Sequence, residues 1–137
     1  EIQLGDWSSD VCSSDLIETV NETNVAAAVG SGGLAVYATP AMIALMEKAA
    51  WRAVEPCLEA GSTTVGTEID VRHIAASPIG AKIRAVAVVA AVDRKKISFS
   101  VEAFDDSGKI GEGTHERFIV RSDEFLAKAE ARHRIGR

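Results

Sequence analysis

Cysteine is scarce in this chain, with Cys12 and Cys57 the only two in 137 residues. Cysteines that sparse build no disulfide framework and no metal-binding pair, and a reducing cytoplasm is the simplest setting for them. Long apolar runs are missing too: a membrane-spanning helix needs about 18 or more such residues in succession, and none occurs. The three histidines, at 73, 115 and 133, show no ligand spacing, so no metal centre is expected. The glycine cluster Gly30, Gly32 and Gly33 lacks the Lys-Ser/Thr ending of a phosphate loop and reads as a flexible lead into a helix.

A net charge of −5 hints at an acidic protein, but the hint is local. Residues 1–16 carry Glu1, Asp6, Asp10 and Asp15 with no lysine or arginine. The rest of the chain is close to neutral, so charge points to neither nucleic acid nor membrane. Within that segment, Asp6-Trp-Ser-Ser-Asp-Val-Cys-Ser-Ser-Asp-Leu16 has no periodicity, no secretory core and no targeting logic. It resembles the translation of a short-read sequencing adapter. Residues 1–16 are therefore set apart as non-native, and residues 17–134 are expected to form one domain, long enough to bury a real core.

What is present begins with Thr39-Pro40, a strong helix start: threonine caps free amides and proline suits the first turn. The apolar spacing predicts a helix to about Glu55, ended by Pro56 and Gly61. On the helical wheel Lys48, Arg52, Glu55 and Glu59 form one polar stripe. Glu47 lies roughly 80–140° away from it, flanked by Ile43, Trp51, Val54 and Leu58. A carboxylate there is expected to be desolvated and its pKa raised. Glu47 is thus a functional candidate, with a buried structural ion pair as the plainer account. Cys57, near the helix end, reads as a small buried hydrophobe rather than a nucleophile.

After the helix the chain reads as strands. Residues 63–74, 81–92, a third strand around Ile97, Phe99, Val101 and Ala103, and 109–121 alternate with turns at Ser77-Pro-Ile-Gly80, Asp93-Arg-Lys-Lys96 and Asp105-Asp-Ser-Gly108. A short charged helix opens at Ser122. In the first strand, period two places Val65, Thr67, Ile69, Val71 and His73 on one face, so His73 occupies a position where a hydrophobe is expected. A lone histidine there is more often a satisfied core residue; beside Glu47 it is a second misplaced titratable group. One long buried helix followed by a meander of strands calls for an α+β fold in which a curved antiparallel sheet wraps the helix.

That architecture is the hotdog fold. The run Ala38-Thr-Pro-Ala-Met-Ile-Ala-Leu-Met-Glu47, the Val65-Gly-Thr stretch onward to His73, and Gly111-Glu-Gly-Thr-His-Glu-Arg117 resemble the fluoroacetyl-CoA thioesterase-like family over roughly residues 18–130. The resemblance implies Thr39, Glu47 and His73 as the catalytic site, with the Gly66 amide lining an acyl pocket. Where the fluoroacetate-resistance enzyme carries an aromatic gate over that pocket, this chain has Gly32-Gly33-Leu34, so selectivity for a fluorinated acyl group is not expected. For His115-Glu116-Arg117 there are two readings: a contact with coenzyme phosphates or across a dimer interface, and a solvated strand end, the latter being preferred. The resemblance implies hydrolysis of a small acyl-CoA by a homodimer, with no cofactor beyond the coenzyme A of the substrate; strand 81–92, apolar on both faces, reads as a central or an interface strand and is compatible with that pairing. A non-catalytic acyl-CoA-binding dimer and a hotdog dehydratase or hydratase are the alternatives.

Overall fold

The computed structural model describes residues 13–135. Strand β1 (Ser13–Thr19) and the one-turn helix α1 (Ala26–Val29) lead to helix α2 (Thr39–Val54), which a 3-10 turn (Glu55–Cys57) closes. Strands β2 (Ser62–His73), β3 (Lys82–Asp93), β4 (Lys96–Asp105) and β5 (Gly108–Arg121) follow, and helix α3 (Ser122–Ile135) ends the described chain. The strands form one antiparallel sheet in the order β1-β3-β4-β5-β2. The expected α+β architecture, a long helix embraced by an antiparallel sheet, is the one found, and no helix among the described residues is long and apolar enough to cross a membrane.

Local chemistry accounts for the elements. Asp105 shapes the β4–β5 hairpin by accepting hydrogen bonds from the amides of Ser107 (2.8 Å) and Gly108 (3.1 Å), a side-chain turn. Gly108 there takes φ 144°, open to glycine alone. The buried face of α2 is Met42, Leu45, Met46, Ala49, Ala50, Ala53 and Val54, the i, i+3, i+4 spacing of an amphipathic helix. The helix packs on β3, its alanines share one core with buried Ala85 and Ala87 of that strand, and small side chains on both sides let helix and sheet approach closely. Tyr37, Phe99, Met42, Met46, Ile83, Ile97 and Ile110 fill the remaining volume.

Two expectations change, those for Glu47 and for the face of β2, and two further strands are placed. Glu47 sits beside the core face of α2 rather than on it, its side chain 43% exposed, because the sheet covers the alanine-rich stripe instead. Strand 81–92 is β3, an interior strand between β1 and β4, so its backbone is already paired and the open edges are β1 and β2. The single inward face of β2 is broken, since the β2–β5 register shifts between Gly66 and Glu68. That bulge changes parity: Thr64 and Gly66 face the helix before it, Val71 and His73 after it. Finally, β1 begins inside the segment set apart from the sequence, with Ser13–Leu16 paired to β3 and Leu16 packed against the core. Ladder pairing uses backbone groups that any residue but proline supplies. Residues 1–12 of that segment lie outside the described residues.

Candidate active site

Two polar clusters stand along α2. The first lies at its start. Thr39 is the first residue of the helix, Ala38 is its N-cap with extended φ −77° and ψ 139°, and no side chain caps this end. The capping role expected of Thr39 is therefore not the one observed. Its hydroxyl lies 2.7 Å from Nδ1 of His73, the last residue of β2. Backbone bonds fix the two segments: the Tyr37 amide donates to the Ser77 carbonyl (2.9 Å) and joins them, while the Ala38 amide donates to Asn24 (2.9 Å) and the Ile74 amide to Ile110 of β5 (2.7 Å). Tyr37, buried and donating its hydroxyl to Glu18 of β1, meets the His73 ring edge-on at 6.5 Å.

Burial holds the His73 imidazole below its ordinary pKa, against a smaller opposing pull from a backbone bond to Ala75. The ring is thus neutral near pH 7. Its other nitrogen, Nε2, is buried without a hydrogen-bond partner. An orphaned polar atom costs about 1–3 kcal/mol, and it belongs to a ring bonded to the first residue of a helix whose uncapped N-terminal amides favour developing negative charge.

The second cluster surrounds Glu47, two turns further along. Oε2 of Glu47 stands 4.0 Å from Nη1 of Arg117. With the carboxylate nearly half exposed, such a pair contributes at most about 1 kcal/mol. Arg117 is held instead by Thr64: its Nε donates to the hydroxyl at 2.8 Å and its Nη2 to the carbonyl at 3.0 Å. Arg117 is buried, and burial works against its charge while Glu47 and Glu55 support it. His115, also buried, stacks on Phe99 at 5.8 Å, contacts the Glu68 carbonyl through Nδ1 at 2.7 Å and meets Arg117 Nη1 through Nε2 at 3.2 Å. Gly66 completes the group: a Cβ there would fall 2.9 Å from Glu47 Oε2 and 3.3 Å from Arg117 Nη1.

Thr39 and His73 are thus joined, and Glu47, Gly66 and Arg117 are joined. Eight residues of α2 separate Thr39 from Glu47, about 12 Å at the helical rise. Gly33 belongs to neither cluster; it lies on the exposed loop before α2 with open space around its Cα, next to Leu34, 70% exposed. The solvated strand end preferred for residues 115–117 is overturned, since His115 and Arg117 are buried. Parity carried that signal: residues 111, 113, 115, 117 and 119 share a face of β5, and Ile119 marks it as the inward one.

Two depressed histidines give a pH signature. Burial lowers the folded pKa of both His73 and His115 below 6.5. Unfolded histidines take up protons first, so beneath about pH 6.5 the unfolded state binds more protons and acidification favours it; above that these groups add no slope. The melting temperature should fall between about pH 7 and about pH 5, and less steeply in His115→Phe. A flat profile in calorimetry would contradict the assigned burial.

The sequence matches the family described as FlK, fluoroacetyl-CoA-specific thioesterase, over residues 20–123. It is 40% identical over 101 residues to the fluoroacetyl-CoA thioesterase of Streptantibioticus cattleyicolor, covering 74% of this chain and 73% of that one. A solved structure of the fluoroacetyl-CoA thioesterase FlK superposes with TM-score 0.81 at 34% identity, covering 87% of this chain and 93% of the other. A thioesterase superfamily member from Thermus thermophilus gives TM-score 0.82 at 26% identity over 89% and 90%. With a hot-dog-like protein from Thermanaerovibrio acidaminovorans, 21% identical and covering 88% and 89% at TM-score 0.81, the likeness is one of fold alone. Helix, wrapping sheet and a family match over residues 20–123 agree: the chain has the hotdog fold and belongs to the fluoroacetyl-CoA-specific thioesterase family.

Proposed function

We propose that the chain hydrolyses a short acyl-CoA thioester to the free acid and coenzyme A. One observation carries the reading: the Thr39 hydroxyl on His73 Nδ1 at 2.7 Å, with Nε2 of the same ring buried and unpartnered at the start of α2. The thioester carbonyl is placed against the Thr39 hydroxyl and the uncapped amides of the first turn, which stabilise the oxyanion. A water oxygen adds to the carbonyl carbon, the carbon–sulfur bond breaks, and the proton taken from water passes to the leaving thiolate. His73, neutral and bearing one free nitrogen, is suited to carry that proton. Glu47 directs the water. Helical side chains lean toward the N-terminus, which supports a carboxylate serving the Thr39 end of the helix, with Gly66 and Arg117, which it meets, bounding the acyl end.

The spacing of the clusters supports a short acyl group. Thr39 and Glu47 are only about 12 Å apart along the helix axis at the backbone, and both side chains occupy part of that span. At the place of an aromatic gate stand Gly33 and exposed Leu34, which supports a lack of selectivity for fluorinated substrates. A homodimer is part of the reading: Trp51 is 36% exposed one turn beyond Glu47, and the twelve-residue β2 is an open sheet edge, a surface that a second copy would cover. The free thiol of Cys57 suits a reducing cytoplasm, and the steps require no cofactor beyond the substrate's coenzyme A.

The test is thiol release from acetyl- through hexanoyl-CoA. Turnover should be highest on the shortest chains. Tight binding with no release would instead indicate an acyl-CoA-binding dimer, and neither binding nor release would sink the reading.

A further inference from the structure

The hydrolysis proposed above leaves one buried titratable side chain unused. His115 is 1% exposed and makes two polar contacts whose chemistry determines its proton. Nδ1 faces the Glu68 carbonyl at 2.7 Å, and a carbonyl oxygen only accepts. Nε2 faces Arg117 Nη1 at 3.2 Å, and a guanidinium only donates. Both contacts are hydrogen bonds only when Nδ1 carries the proton and Nε2 is bare. The ring is neutral and in a single tautomer.

We propose that His115 is a positioning residue: as the neutral Nδ1–H tautomer it accepts from Arg117 and so aims the guanidinium at Glu47, and proton uptake by His115 releases that aim. The geometry forms one chain. The Glu68 carbonyl, at the β2 bulge, orients the imidazole; the imidazole holds Nη1; Nη1 faces Glu47 Oε2 at 4.0 Å. Thr64 grips the other two nitrogens of Arg117, leaving Nη1 as the arm that can be directed. Gly66 keeps the space open, because a Cβ would meet Glu47 Oε2 at 2.9 Å, Arg117 Nη1 at 3.3 Å and His115 Cε1 at 3.4 Å.

A proton on Nε2 removes the acceptor and sets an imidazolium against a guanidinium. The groups facing His115 are Glu47 from α2, the Glu68 carbonyl from β2, Arg117 and Glu116 from β5, and the uncharged ring of Phe99 from β4. Burial and Arg117 oppose the imidazolium; the carboxylates and the carbonyl favour it, and burial outweighs them. The arrangement couples the state of Glu47 to the protonation of a residue that touches no substrate. The consequence for turnover rests on the hydrolytic reading; the coupling itself does not.

The experiment therefore has two parts. In the unaltered protein, nitrogen NMR of His115 should show Nδ1 protonated and Nε2 bare near neutral pH, and the carboxyl carbon of Glu47 should move in step with His115 as pH falls. In His115→Phe, which retains an aromatic ring beside Phe99, that step should vanish. Thiol release by His115→Phe should fall about tenfold in kcat with KM within about twofold, and His115→Gln, whose amide oxygen replaces the Nε2 acceptor, should recover to within about threefold of wild type. An Nε2–H tautomer, a Glu47 carbon indifferent to His115, or equal kcat in wild type and His115→Phe would overturn the proposal. If wild type releases no thiol, hydrolysis fails by itself, and the NMR result still decides the coupling.

Discussion

His73→Ala should lower kcat for thiol release by about 10³-fold, the middle of the range for loss of a general acid–base group, while the protein stays folded. Two facts argue for so large an effect. The ring is bonded through Nδ1 to the Thr39 hydroxyl, and its Nε2 is buried with no partner. A side chain in that state contributes little to holding the fold, since removing it also removes an unsatisfied atom. The melting temperature should therefore move far less than the rate. Thr39→Ala should reproduce part of the loss and Thr39→Ser should restore it, because only the hydroxyl meets His73. KM is expected to change little, as neither group is assigned to the coenzyme. Steady-state kinetics beside a thermal melt separates the outcomes: an unchanged kcat in a folded His73→Ala protein would remove His73 from the mechanism.

The largest stability effect is expected at Gly113. It lies opposite Val71 in the β2–β5 ladder, and an added Cβ would sit 2.1 Å from the Asp70 carbonyl oxygen and 2.6 Å from Val71 Cα. Both obstacles are backbone, so relief requires the two strands to part. Gly113→Ala should destabilise by about 3 kcal/mol, the upper end of ordinary overpacking, or about 10–15 °C in melting temperature for a domain of this size. Gly111→Ala is the informative control. Its Cβ would meet Met42 Sδ at 2.5 Å and Cε at 2.8 Å, with the Arg72 carbonyl at 3.0 Å. Methionine is flexible and can turn aside, so the loss there should be smaller. Equal melting temperatures for wild type and Gly113→Ala would show that the strands separate at little cost.

Much of the fold was legible because its signals are local. Thr39-Pro40 opening a helix and Pro56 ending it, the turns at 93–96 and 105–108, and the alternation in residues 97–103 each depend on residues close in sequence. Thr39, Glu47 and His73 were singled out as candidates before any contact was known, yet their surroundings differ from those expected. Thr39 is bonded to His73 instead of capping the helix. Glu47 is nearly half exposed, so the full desolvation inferred from its wheel position is only partial within one chain. For His115 and Arg117 the sequence favours a solvated strand end over a contact with coenzyme phosphates or a dimer partner, whereas both are among the most buried polar groups described.

The amino-acid sequence by itself determined one long helix opened at Thr39, four following strands, and an acid and a histidine in unusual positions, because helix and strand periods and turn chemistry act over a few residues. Tertiary structure decided which faces are inside. Burial depends on what other elements cover, and the sheet covers the alanine stripe of α2 rather than the flank bearing Glu47. The bulge between Gly66 and Glu68 belongs to two strands at once. Shifting parity by one residue, it turns Thr64 and Gly66 toward Arg117 and Glu47 while leaving His73 facing Thr39, a choice no period-two pattern along β2 contains.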